Sequence, residues 1–144
     1  AGAPQNGGNQ PFSQRNLLRK IITEADSCLS LPHPGATLRF GHDTMIMPLT
    51  CLLNLNNYNV QVFNLDSLET KGWNSAHIFP MAANIQFVFY KNPKKPKADI
   101  LIKALLNEEE VTMPLPKTST PYYYKWNDFK TFYLKLLNNY KEPQ

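Results

Sequence analysis

Residues 38–44, Leu38-Arg39-Phe40-Gly41-His42-Asp43-Thr44, set a histidine beside a carboxylate at the junction of two backbone patterns. Leu38 and Phe40 alternate with Thr37 and Arg39 as the two faces of a strand do, whereas the residues after Thr44 follow helical spacing. Gly41 eases the turn between them. The first N–H groups of a helix have no intrahelical acceptor and lie at the positive end of its dipole. A phosphate at this junction therefore meets donors already aimed at it. His42 adds a ring N–H donor for the same anion. Asp43, if its surroundings keep it protonated, is suited to act as general acid toward a leaving-group oxygen. The same residues also fit a purely structural reading, in which Asp43 or Thr44 caps the helix and His42 is an ordinary polar residue.

The elements that must hold this turn are legible on either side. Ser13 is a candidate cap for a first helix over 14–29, in which Leu17, Leu18, Ile21, Ile22, Ala25 and Cys28 recur on one face. Leu31-Pro32-His33-Pro34-Gly35 ends that helix, leads into a strand over 37–41, and leaves His33 as an exposed loop residue. A second helix is predicted over 44–53 with Ile46, Leu49, Leu52 and Leu53 inward and Pro48 near its first turn, followed by an asparagine-rich loop. Residues 60–79 are ambiguous between strand and loop. The runs 85–91 and 99–106 read as an antiparallel hairpin with apolar residues on both faces, so cover is expected on both sides. Residues 111–125, with Pro114, Pro116 and Pro121, are expected to be extended and irregular, Tyr122 to Tyr124 serving as packing residues. In the last helix, over 127–140, Phe129, Phe132, Tyr133, Leu136, Leu137 and Tyr140 form one stripe. The order is helix, strand, helix, hairpin, helix, and the fold class is α/β.

Composition narrows the function classes. The chain has 144 residues, 42% of them hydrophobic, enough for one core. A flexible segment is expected over 1–12 and a single α/β domain over 13–144. The sequence holds no apolar run of membrane-spanning length and no signal-peptide pattern at Ala1, so no membrane partner is expected. A net charge of +4 and a pI near 9.1 suit anionic partners such as phosphate esters. The densest basic run, Lys91-Asn92-Pro93-Lys94-Lys95-Pro96-Lys97, reads as a solvated hairpin tip, and with no aromatic among its lysines it offers no platform for nucleic-acid bases. Glu108-Glu109-Glu110 reads as a solvated acidic turn, because no histidine or further acid completes a metal shell. Cys28 and Cys51 lack zinc-ligand spacing and are expected to be buried free thiols. No Walker-type glycine loop and no internal repeat occur.

The run LRFGHDTMIMPL at residues 38–49 resembles the second catalytic motif of the histidine acid phosphatases, in which a His-Asp pair at a strand end opens a helix. Trp73, the run 80–90, Leu105-Leu106-Asn107-Glu108, Pro114-Leu115 and the terminal Tyr124, Trp126 and Phe129 extend the likeness from about Phe12 onward to the phytase and multiple-inositol-polyphosphate-phosphatase group. The resemblance implies the C-terminal part of a three-layer α/β/α core. The family's nucleophilic histidine lies in an Arg-His-Gly-x-Arg-x-Pro motif. That motif is absent here: His33 precedes Pro34, His77 precedes Ile78, and His42 belongs to the His-Asp pair.

What the resemblance implies is a phosphomonoesterase that works through a phosphohistidine, with no cofactor and no metal. Asp43 would be the proton donor and His42 a phosphate contact. Arg39, three residues before His42, is a further candidate for substrate binding, although strand alternation tends to turn it from the pocket. The implied partners are a phosphate-ester substrate, inositol phosphates among them, and an N-terminal part of the same enzyme that supplies the nucleophile. Without that part, the chain is expected to be inactive and to expose a strand edge that invites self-association. The resemblance points to a periplasmic or secreted location. The alternative is a non-catalytic basic binding module that keeps the architecture without the chemistry.

Overall fold

The computed structural model describes residues 10–57, 82–95 and 97–140. The expectations for residues 60–79, Trp73 and His77 among them, lie outside the described residues, as does most of the 1–12 segment. Regular structure begins with a 3-10 turn at Gln10–Gln14, which runs directly into α1, Arg15–Leu29. Ser13 lies inside that turn, and the cap position falls to Gln14 without a side-chain hydrogen bond, so the expected Ser13 cap is not formed. Leu18 and Ile22 are buried, with Leu17, Ile21, Ala25 and Leu29 packed at the margin. Cys28, expected on this face, is exposed; one helical turn after Ala25 the inward place is taken by Leu29.

The second helix, α2, spans Asp43–Leu53. His42, with extended backbone (φ −114°, ψ 169°), holds the cap position, so Thr44 lies within the helix rather than capping it. Pro48 also lies inside the helix, beyond the first turn where it was expected, and cannot donate to the Thr44 carbonyl. Burial explains why the helix tolerates it: Leu49, Thr50, Cys51, Leu52 and Leu53 are all buried, so packing all round the C-terminal half outweighs one missing bond. Asn54 ends α2 in the left-handed region (φ 52°), and Asn56 repeats that conformation (φ 49°) in the short 3-10 turn Leu55–Asn57. Asparagine tolerates these angles better than other side chains with a Cβ. Asn56 is then clipped to Thr112, whose N–H and hydroxyl donate to its Oδ1 at 2.8 and 3.1 Å.

Strands β1, Ile85–Tyr90, and β2, Leu101–Leu106, form the expected antiparallel hairpin, with Ile85 opposite Leu106 and Tyr90 opposite Leu101. Asn107 and Glu108, both at positive φ (52° and 70°), turn the chain into β3, Glu109–Glu110, as two-residue hairpin turns require. The acidic run is therefore turn only as far as Glu108. A further short strand, β4, Tyr124–Lys125, pairs with the other end of β2, so β2 is the central strand. Helix α3, Trp126–Asn139, follows at once.

Period two in the strands and period 3.6 in α3 meet at one face. Phe87 and Phe89 pack edge-on against Phe129 and Trp126, with ring centroids 5.7 and 5.0 Å apart. Beside them, Ile102, Ala104 and Leu106 join all three helices in a single core. The opposite face, bearing Val88, Leu101, Lys103 and Leu105, is only half-buried, so the expectation of cover on both sides is met on one side among the described residues. Phe132 likewise departs from the predicted stripe: it is exposed, while Trp126, Phe129, Tyr133 and Leu137 carry the contact. The molecule combines helices with an antiparallel sheet and is of the α/β class.

Candidate functional site

The His-Asp junction stands where α2 begins, but residues 37–41 do not form the predicted strand. Leu38 and Phe40 point outward, 77% and 92% exposed. The physical reason is pairing: a segment of strand character becomes a strand only when a neighbour takes its N–H and C=O groups, and no described strand lies alongside. Gly41 also serves differently from expectation. Its backbone needs no left-handed angle; instead a Cβ there would come 2.3 Å from the Met45 Sδ, so the absence of a side chain lets Met45 fold back over the turn.

This end of α2 brings an exposed histidine to the first N–H groups of a helix. The Met45 N–H donates to the His42 carbonyl at 2.9 Å, which closes the first turn. The N–H groups of Asp43 and Thr44, ahead of it, have no intrahelical acceptor. The His42 side chain makes no capping bond, so its ring is not consumed by the helix. Its exposure lets an anion reach ring and backbone together. Asp43 is the first residue of the helix, at the positive end of its dipole.

Arg39 is engaged: its guanidinium forms an ion pair with the carboxylate of Glu24 on α1. Sequence reasoning did not single out Glu24. Fifteen residues separate the two, and no local spacing announces the pair.

The remaining sequence candidates lie apart from the junction. His33 is exposed, with Nδ1 3.3 Å from the Pro34 carbonyl. The lysine-rich tip is exposed as predicted, and Lys91 reaches back to the Leu29 carbonyl at the end of α1. Neither cysteine forms a disulfide; burial pushes the Cys51 thiol up to about 11, far from a nucleophile's range. No group of three or more potential metal ligands occurs among the described residues, and no described helix is long and apolar enough to cross a membrane. A cleft of about 310 Å³ opens between the ends of α1, the β1–β2 loop and α3, lined by Asp26, Ser30, Lys97, Asp99, Trp126 and Lys130. None of residues 39–42 lines it, and both its acids are engaged: Asp26 accepts from Trp126 Nε1 at 2.9 Å and from Lys130, and Asp99 pairs with Lys125. The chemistry-bearing pair and the cleft are thus different places, and the pair is the better candidate because the His42 side chain makes no capping bond.

Comparison with known proteins bears on the same segment. The sequence profile of the Histidine phosphatase superfamily (branch 2) matches residues 13–107, which include the whole of α1, the junction and α2. Human multiple inositol polyphosphate phosphatase 1 is 27% identical over 106 residues, covering 71% of this chain and 21% of that protein. The crystal structure of a Bifidobacterium longum multiple inositol polyphosphate phosphatase in complex with inositol hexasulfate superposes with a TM-score of 0.68 at 26% identity, covering 83% of this chain and 25% of that one. The chain therefore spans a quarter or less of the length of these relatives.

Proposed function

The chain belongs to branch 2 of the histidine phosphatase superfamily, and from that membership we propose that it supplies the acid side of a phosphomonoesterase site whose substrates are inositol polyphosphates. The observation that carries the proposal is the His42-Asp43 pair at the start of α2, with the His42 side chain making no capping bond beside the first N–H groups of the helix, which have no intrahelical acceptor. The relatives named above supply the substrate class, and a net charge of +4 suits a polyanion.

In the proposed mechanism a histidine outside this chain attacks phosphorus through a ring nitrogen. As the N–P bond forms, the P–O bond to the alcohol breaks and the Asp43 carboxyl proton passes to the departing oxygen. The resulting carboxylate then takes a proton from water, whose oxygen attacks the phosphohistidine, releasing inorganic phosphate and regenerating both residues. His42 and the first N–H groups of α2 hold the phosphoryl oxygens as charge develops on them.

The test is Asp43→Asn in the complete natural protein, assayed on substrates of unequal leaving groups. Inositol and alkyl phosphates need a proton on the departing oxygen, so their turnover should fall on the order of a hundredfold. Nitrophenyl phosphate, which leaves as a stabilised phenolate, should be much less affected. Equal loss on both, with the fold intact, would assign Asp43 to the helix rather than to the reaction. No turnover by the wild-type protein would favour a binding module.

A further inference from the structure

We propose that Glu24 is a positioning residue for the His42-Asp43 turn, acting through Arg39. The inference rests on the phosphatase reading but concerns a side chain on another element, which neither touches substrate nor belongs to the motif.

The connection 31–42 between α1 and α2 contains no helix or strand, and every residue in it is exposed. Its other bonds are local: Leu31 N–H to the Cys28 carbonyl, the His33 ring to Pro34, and the His42 carbonyl to Met45. Among the described residues, the ion pair between Arg39 and Glu24 is the one polar tie from this connection that reaches beyond the adjoining turn. The Arg39 side chain is held against α1 by the pair, whereas Leu38 and Phe40 on either side of it stand open to solvent.

The anchor at the other end is firm. Glu24 lies between Ile22, buried in the core, and Asp26, which accepts from Trp126 Nε1 and Lys130 of α3. Helix α1 is thus held on both sides of Glu24, and a carboxylate there is a fixed point on a rigid element. Lys20, one turn earlier at 3.9 Å, shares that carboxylate without reaching the connection. A guanidinium suits the task because its planar fork holds a carboxylate in a defined orientation, which an ammonium does not.

The consequence is geometric. His42 is tied to α2 through its carbonyl, but the direction from which the chain enters the cap decides where its imidazole points. Arg39 fixes that direction three residues earlier. An exposed ion pair adds little to stability, equivalent to about a fivefold change in an equilibrium constant at most. A displacement of about 1 Å in a reacting group, in contrast, can cost on the order of a hundredfold in rate. The pair should therefore matter to turnover far more than to folding.

The experiment is steady-state kinetics of the complete natural protein on an inositol phosphate, with melting temperatures measured alongside. Glu24→Gln should lower kcat by about tenfold, between those two limits, with KM and Tm nearly unchanged. The exchanged pair Glu24→Arg with Arg39→Glu should recover most of the lost kcat, because the tie is restored with its charges reversed. A wild-type kcat in Glu24→Gln would overturn the proposal, as would a loss of kcat that merely follows a fall in Tm. If Arg39 instead binds substrate directly, the exchange removes that ligand and kcat/KM stays low, which also overturns it. Asp43→Asn in the same assay separates the two readings. If that variant slows on inositol phosphate far more than on nitrophenyl phosphate, as expected, while Glu24→Gln is silent, only the positioning role fails. If Asp43→Asn shows no such difference, the phosphatase reading itself fails.

Discussion

Tyr133 ties α3 to the end of α2. It is fully buried in α3, with its ring against Phe129 and Phe132, and its hydroxyl donates to the carbonyl of Leu53, the last residue of α2, at 2.5 Å. Burial, aided by nearby Tyr124, pushes that hydroxyl far above the ordinary tyrosine range, so it is a permanent donor. The last carbonyls of a helix have no intrahelical partner, and this one is satisfied from a neighbouring helix. Tyr133→Phe keeps the ring and removes the donor, leaving a buried carbonyl unsatisfied, and should cost about 1–3 kcal/mol. Urea unfolding of the variant checks this; unchanged stability would mean that Leu53 finds another donor. The helical stripe reveals Tyr133 as core. Its hydroxyl's partner, 80 positions away, belongs to tertiary structure alone.

At the scale of elements, the seam between α1 and α3 sets the platform on which the junction rests. Asp26 accepts from Trp126 Nε1 at 2.9 Å and from Lys130 at 3.1 Å. Partial burial alone would raise its pKa, but the bonds from Trp126 and Lys130 outweigh burial and lower it below the ordinary value of 3.8. A carboxylate whose folded value is depressed adds stability above its unfolded value and loses it as pH falls through the folded one. Wild-type protein should therefore exceed Asp26→Asn in melting temperature at neutral pH. The margin should shrink once pH drops below the ordinary aspartate range, as thermal melts across acidic pH would show. A constant margin would assign the effect to packing around Trp126. The contrast with residues 37–41 is instructive at this scale. Helix α3 could be read from its own period because a helix satisfies its backbone internally, whereas a strand needs a neighbour the local sequence does not name.

For the whole molecule, the decisive fact is that relatives are about four times as long as the part of them this chain covers. No Arg-His-Gly-x-Arg-x-Pro run occurs in the 144 residues, and Leu38 and Phe40 are exposed. The 144-residue polypeptide by itself should accordingly hydrolyse neither nitrophenyl phosphate nor inositol hexakisphosphate. Phosphate-release assays on purified chain test this, and sustained turnover would show that the chain holds a nucleophile of its own.

The sequence by itself determined the His-Asp junction, the three helices, the β1–β2 hairpin and the lysine-rich tip, because each is written in short-range periods, breakers and charge. It also carried the family, whose profile matches residues 13–107. Tertiary structure alone decided that His42 rather than Thr44 caps α2, and that Pro48 is accommodated by burial. Equally, it decided that Arg39 turns to Glu24, and that β3 and β4 flank a central β2. These outcomes depend on which distant groups meet. Once the helices share a core, a residue's best partner is the nearest complementary group in space, and separation along the chain no longer ranks the choices.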